Sequence, residues 1–461
     1  MNGVLAGITI YIAAQLAIGA WVSRRIRSEE DYLVAGRSLG YGLAVFTIFA
    51  TWFGAETVVG AAGAVYEDGL SGGSADPFGY GLCILIMGAV FAVPLWRRKL
   101  TTFADLFRQR YSVRVERFAV ILMVPTSLLW AAAQVRAFGQ VLSASSDLEV
   151  ELTITIAAGV VVLYTVAGGL LADVITDLVQ GVALMVGLIV LAVAMLVSGG
   201  FETIREIDPS RLALFGAGEV PMLEIAEAWA IPVFGSVVAA ELVARVIAAR
   251  SPTVARRACL YGGGLYLLVG LIPVALGLVG PSLLPGLAHG EQVLPRLALE
   301  YFPPIIFVAF AGALLSAILS TVDSALLVAA SLVSHNIIVP LKGDVSEAGK
   351  VRIARIGVVV FGVVAYVLAL HAEGVYELVQ QASAFGSAGI FVVTCWGLFS
   401  SYGGSVAAIS SLATGVTAWV VGSYVLDLPA AYLSALALSA GAYVLGATWE
   451  RRGTSLRLPV T

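Results

Sequence analysis

Residues 305–334 read IIFVAFAGALLSAILSTVDSALLVAASLVS, thirty residues whose only charged side chain is Asp323. Such a run is long enough to cross a bilayer with some tilt. At about 100° per residue, Ala317, Ser320, Thr321 and Ser324 fall on one narrow stripe of the helix. Paired hydroxyls beside a small residue, where a backbone carbonyl can be approached, suit a small hard cation that binds several oxygens. Close packing of two helices over small side chains is the other reading of the stripe, and the run alone leaves both open.

The rest of the chain is of the same kind. Of 461 residues, 59% are apolar and 12% charged, and the mean hydropathy is +0.96, a composition foreign to ordinary soluble domains. We read an all-α integral membrane protein. Apolar stretches of spanning length fall near 3–22, 41–66, 76–96, 117–143, 151–167, 171–198, 223–247, 258–280, 304–336, 353–371, 376–399, 405–425 and 430–448, about 13 transmembrane helices. An odd number puts the two termini on opposite sides. Of the 26 Lys and Arg, 22 fall in the segments 23–38, 97–117, 245–257, 340–355 and 450–461. The positive-inside rule then places the N-terminus outside and the C-terminus in the cytoplasm. Residues 1–22 lack a basic n-region and read as a retained span rather than a signal peptide.

Several function classes are excluded. Cys83, Cys259 and Cys395 lie in apolar stretches without disulfide or zinc spacing, and read as packing thiols. His289, His335 and His371 form no metalloprotease motif, and no nucleophile–base pair is evident, so an enzyme is not expected. Nothing points to nucleic acid or to an obligate protein partner. The basic, amphipathic segment 97–117 is expected to anchor at lipid headgroups. Three Lys against 23 Arg, with no N-x-S/T sequon, suggest a bacterial inner membrane.

Two spans carry helix breakers. The second contains FATWFGAETVVGAAG (49–63), and the seventh contains WAIPVFGS (229–236) with Pro232 and Gly235. Secondary transporters place discontinuous helices at the midplane, where freed carbonyls bind ions and substrate. Spans two to six and seven to eleven would then be two inverted repeats of five.

DYLVAGRSLG (31–40), GAVYEDGLSGG (63–73), YTVAGGLLADVITDLVQG (164–181) and LLSAILSTVDSALL (314–327) together resemble the sodium:solute symporter family. The four motifs stand in order and spacing between about 30 and 400. The resemblance implies a LeuT-like 5+5 inverted repeat with an extra N-terminal helix and two extra C-terminal helices. The expected division is a leading helix and cytoplasmic linker (1–40), a core of two repeats (41–198 and 223–400), and two C-terminal helices with a tail (401–461). It further implies a sodium site, sodium being the co-transported ion. Its donors are the carbonyls of Ala50, Phe53 and Ala317 and the hydroxyls of Ser320 and Thr321. Asp177 matches an aspartate implicated in ion coupling; Asp173 lies four residues before it on the same helix face. Asp323 falls off the hydroxyl stripe and reads as a neighbour of the site or a gating partner.

For a small-molecule substrate the resemblance points to the centre of spans two, four, seven and eleven. The candidates are Trp52, Glu56, Gln134, Gln140, Trp229, Phe234, Gln380 and Gln381. Arg136, costly within a span, is expected to pair with a carboxylate or a substrate anion. The chain departs from proline-type members, with Trp52 in place of an aspartate and Val233 in place of a tyrosine. It also lacks the Asn and Lys of the sugar-type cavity. Substrate identity does not transfer; an amino acid or carboxylate is the leaning. The expected function is sodium-coupled import of a small organic solute by alternating access. Two alternatives stand beside it: proton coupling through Glu56 or Asp177, and a transporter-like sensor acting with a separate signalling protein.

Overall fold

In a bilayer no water satisfies a free backbone group, so apolar runs fold into helices that pair their own N–H and C=O groups. The computed structural model describes residues 28–146, 148–167, 170–205, 207–216 and 220–455, with Ile10, Ala13 and Ala17. Among these an isolated bridge between Leu39 and Ala249 is the only β pairing. The helices are α1 (Tyr41–Trp52), α2 (Glu56–Ser71), α3 (Ser74–Arg97), α4 (Val113–Ala144), α5 (Val150–Ala167), α6 (Leu170–Met195), α7 (Met222–Ala230) and α8 (Ala240–Ala248). They continue as α9 (Pro252–Leu283), α10 (Pro304–Val333), α11 (Glu347–His371), α12 (Val375–Ala384), α13 (Ser387–Phe399), α14 (Ser405–Tyr424) and α15 (Ala431–Ser455).

Nine spans among the described residues are long and apolar enough to cross a membrane, or eleven when the bent pairs α1–α2 and α12–α13 each count as one. The expected thirteen is therefore not reached. Residues 3–22 lie outside the described residues but for three positions, and α5 is short.

Serine caps start α4, α9 and α11, where Ser112, Ser251 and Ser346 accept from the N–H groups of Val115 (3.5 Å), Val254 (3.2 Å) and Gly349 (3.2 Å). Each satisfies a donor that the first helical turn leaves free. Those starts share one end of the bundle. Leu39 N donates to Ala248 O (3.2 Å), Trp96 Nε1 to Ala249 O (2.7 Å) and Thr102 Oγ1 to Asn336 Oδ1 (2.7 Å). The described parts of the basic segments gather there.

At the centre stands α10, buried at every residue from Phe310 to Leu332. A helix apolar all round buries all its faces, which is what the 305–334 run implies. It packs against α1, α4 and α6.

Three spans are interrupted. Phe53 (ψ 66°) ends α1, and α2 resumes at an angle of 49°. The seventh span passes through a π turn at Ile231–Gly235, and residues 237–239 leave the helix before α8. Both breaks fall where the glycines and Pro232 put them. The third, a 41° bend between α12 and α13 at left-handed Gly386 (φ 67°), was not expected from the sequence.

Candidate functional site

The first break exists because α1 and α10 approach closely there. A Cβ on Gly54 would stand 2.5 Å from Thr321 Oγ1; with glycine the Thr321 hydroxyl turns into the break. It lies 3.4 Å from Ala50 O and 3.2 Å from Ala317 O. Phe53, buried, is the residue at which the helix stops. The five expected sodium donors thus come from two facing segments.

Behind them runs a buried polar chain. Ser320 Oγ donates to Asp177 Oδ1, and Thr47 Oγ1 donates to Asp177 Oδ2 at 2.5 Å. Thr51 Oγ1 donates to Thr47 O (2.6 Å) and accepts from Arg245 Nε (3.1 Å). Arg245 Nη2 donates to Ser324 Oγ, which donates to Ser320 O at 3.1 Å. Asp177 and Arg245 are both fully buried, and hydroxyls and backbone carbonyls of α1 and α10 link them. Sequence reading counted Arg245 among the loop cations and passed over Thr47 and Thr51. The side chain of Asp173 lies outside the described residues.

On the other side of the break, Gln134 caps the resumed helix. Its Oε1 accepts from Ala55 N–H (3.0 Å) and its Nε2 donates to Glu56 Oε2 (2.6 Å). Glu56 Oε1 has no hydrogen-bond partner, although Glu56 is buried. Nearby, Asp76 accepts from Thr57 Oγ1 (2.9 Å) and Tyr266 OH (2.8 Å). Trp52 stacks on Trp130 (centroids 4.7 Å apart, 16°), and Tyr80 approaches both rings, at 6.4 and 6.0 Å. Tyr80 OH meets Ser383 Oγ (2.9 Å), to which Ser236 Oγ donates (3.0 Å). A cavity beside Trp130 takes in Ser236, Ser383, Ser387 and Glu241.

Trp52, Glu56 and Gln134 are therefore brought together. The other candidates are not. Gln140 accepts from Gln292, in the segment between α9 and α10 (3.3 Å). Trp229 packs on Phe215 (5.9 Å) and Phe234 on Phe391 (5.3 Å). Gln381 donates to Glu377 (2.8 Å), and Gln380 is half-buried beside Tyr376. Among the described residues Arg136 pairs with no carboxylate; it donates to the carbonyls of Ala369 (3.3 Å) and Glu373 (2.8 Å). Near it, burial pushes the carboxyl of Glu291 up, against the pull of the Val375 N–H and the Arg136 charge.

Sequence reading missed Asp76, Tyr80 and Trp130. A carboxylate inside an apolar stretch was the available signal for Asp76; the aromatics carried none beyond packing.

A hydroxyl facing two backbone carbonyls at one helix break, with an aromatic and carboxylate cluster beside it, fits the discontinuous helices of secondary transporters. Comparisons with known proteins agree. The chain is 27% identical over 413 residues to the high-affinity choline transporter 1 of Caenorhabditis elegans, covering 82% of this chain and 70% of that one. It is 26% identical over 445 residues to the sodium/pantothenate symporter of Haemophilus influenzae, covering 92% and 90%. Among solved structures, a substrate-bound, outward-open Na+-coupled sialic acid symporter superposes with a TM-score of 0.82 at 19% identity, over 97% of this chain and 96% of that one. The shared fold is the LeuT-like one. A profile of the sodium:solute symporter family matches residues 32–415, most of the chain; the protein belongs to that family, a sodium-coupled transporter and not an enzyme.

Proposed function

We propose that this chain imports a small organic cation together with sodium by alternating access. Sodium binds the carbonyls of Ala50, Phe53 and Ala317 and the hydroxyls of Ser320 and Thr321. All five are neutral donors, as a weakly held monovalent ion requires; a divalent ion calls for carboxylates in the shell. The observation that carries this reading is the Thr321 hydroxyl, held between Ala50 O and Ala317 O against the bare Cα of Gly54. Asp177, bonded through Ser320, couples the ion to α6. Sodium ties α10 to the broken α1–α2 and shifts the conformational equilibrium by its differential affinity for the two states.

The solute class follows from the other cluster. The open Oε1 of Glu56 and the ring faces of Trp52, Tyr80 and Trp130 favour a cation, above all a quaternary ammonium. An anion or carboxylate, the leaning of the sequence, would have to sit beside two buried carboxyl groups, Glu56 and Asp76. Choline transporters among the relatives support the same class.

The test is uptake of labelled choline into proteoliposomes under an imposed sodium gradient at fixed pH. Uptake is expected to follow sodium, to persist partly in lithium and to fail in potassium. Uptake that follows a pH gradient and ignores sodium would favour the proton-coupled alternative and return Ser320 and Thr321 to packing. Sodium-driven uptake of a carboxylate with no response to choline would keep the ion site and reject the cation.

A further inference from the structure

We propose that the cleft between the basic ends of α3 and α9 is a binding site for the headgroup of an anionic phospholipid. The two helices run against each other where Gly88 replaces a side chain. A Cβ at Gly88 would stand 2.8 Å from Cys259 Cβ and 3.0 Å from Arg256 O. Trp96, next to Arg97 on the chain, ties this end of α3 to the segment before α9 with its bond to Ala249 O. The cleft is lined by Val93 and Arg97 on one side and by Thr253, Arg256, Arg257 and Tyr261 on the other.

Several neighbouring cations are already engaged. Arg37 donates to Leu100 O (2.7 Å), Arg98 to Gly397 O (3.2 Å) and Arg110 to the carbonyls of Ser400, Tyr402 and Gly403, while Lys350 pairs with Glu347 at 2.8 Å. Arg97, Arg256 and Arg257 are exposed, and no hydrogen bond or ion pair engages them among the described residues. Three like charges around one concavity repel one another unless an anion enters, and guanidinium forks match phosphate oxygens in pairs.

The cleft opens onto apolar surface that a free phosphate would not use. Val90 and Leu82 on α3 are 45% and 40% exposed, and Leu268 and Leu271 on α9 are 70% and 45% exposed. At a rise of about 1.5 Å per residue, Val90 stands roughly 10 Å from Arg97 along α3, and Leu268 roughly 16 Å from Arg257 along α9. That track suits acyl chains below a headgroup. Tyr261, edge-on to Tyr41 (5.8 Å, 77°), stands at the boundary, where aromatic side chains collect. Basic pockets between membrane helices hold acidic headgroups in this way.

The test is native mass spectrometry of the whole protein in detergent, incubated with cardiolipin or phosphatidylglycerol against phosphatidylcholine of matched chains. Acidic lipid is expected to be retained roughly tenfold better by the native protein. The preference should vanish in Arg97→Gln/Arg256→Gln/Arg257→Gln and survive in Arg108→Gln/Arg114→Gln/Arg352→Gln, whose arginines are also exposed. If the first triple variant does not fold, Arg257→Gln alone is expected to lower retention by roughly threefold. Equal retention by the two triple variants, no loss in Arg257→Gln, or equal retention of acidic and neutral lipid overturns the proposal. So does full displacement by inorganic phosphate, which would mark a free-anion patch.

Discussion

Thr321 reaches the proposed sodium donors only because residue 54 has no side chain, and the two positions are separable by experiment. Thr321→Ala removes one oxygen from a five-oxygen shell and leaves the helix intact, alanine being the best helix former. Apparent sodium affinity is expected to fall at least tenfold, about 1.4 kcal/mol, with expression unchanged. Gly54→Ala acts on both clusters at once, since its Cβ would stand 2.5 Å from Thr321 Oγ1 and 3.1 Å from Glu56 Oε2. Sodium and solute affinities should drop together in that variant, as read from uptake at graded sodium and graded solute. A sodium dependence unchanged by Thr321→Ala would sink the assignment. The hydroxyl stripe was legible because helical periodicity alone places Ser320, Thr321 and Ser324 together. The partner of Ser324 was not: Arg245 lies 79 residues earlier and reads, from composition, as one more basic loop residue.

At the scale of elements, the breaks set the shape of the central cavity. Where the seventh span is interrupted, a Cβ on Gly235 would come within 2.1 Å of Ser383 O, a backbone atom with little freedom to retreat. Gly235→Ala must therefore push the α7–α8 break away from α12, disturbing the Ser236–Ser383–Tyr80 bonds. Overpacking of this kind costs about 1–3 kcal/mol. The expected result is a lower unfolding temperature and loss of solute uptake, while sodium still protects against unfolding, because the proposed ion donors lie at the end of α1 and on α10. Loss of sodium protection as well would mean that the two clusters do not separate as described. Pro232 and Gly235 announced this break in the sequence. The bend between α12 and α13 had no such announcement: Gly386 in SAFGSAG looks like ordinary small-residue packing, and only the fold holds it at positive φ.

Over the whole molecule, the separation of charge between the two ends is the broadest feature the sequence discloses. The basic segments converge on the end that holds the Ser112, Ser251 and Ser346 caps. The opposite end is tied by Arg211 to the carbonyls of Val65 and Tyr66 (2.8 Å each) and by Val375 N to Glu291 (2.6 Å). Arg245, buried inside the bundle, leaves the loop count without altering its bias. Composition registers such a bias because short loops rich in Lys and Arg stay on the cytoplasmic side. The orientation is open to a direct test. In a background lacking Cys83, Cys259 and Cys395, single cysteines at the exposed positions Arg114 and Asp344 should resist an impermeant thiol reagent applied to intact cells. A cysteine at exposed His289, on the opposite end, should react. Reaction at Arg114→Cys or Asp344→Cys, with protection at His289→Cys, would invert the molecule in its membrane. Import as proposed here would then become export, because the same sodium gradient would drive the cycle through a bundle facing the other way.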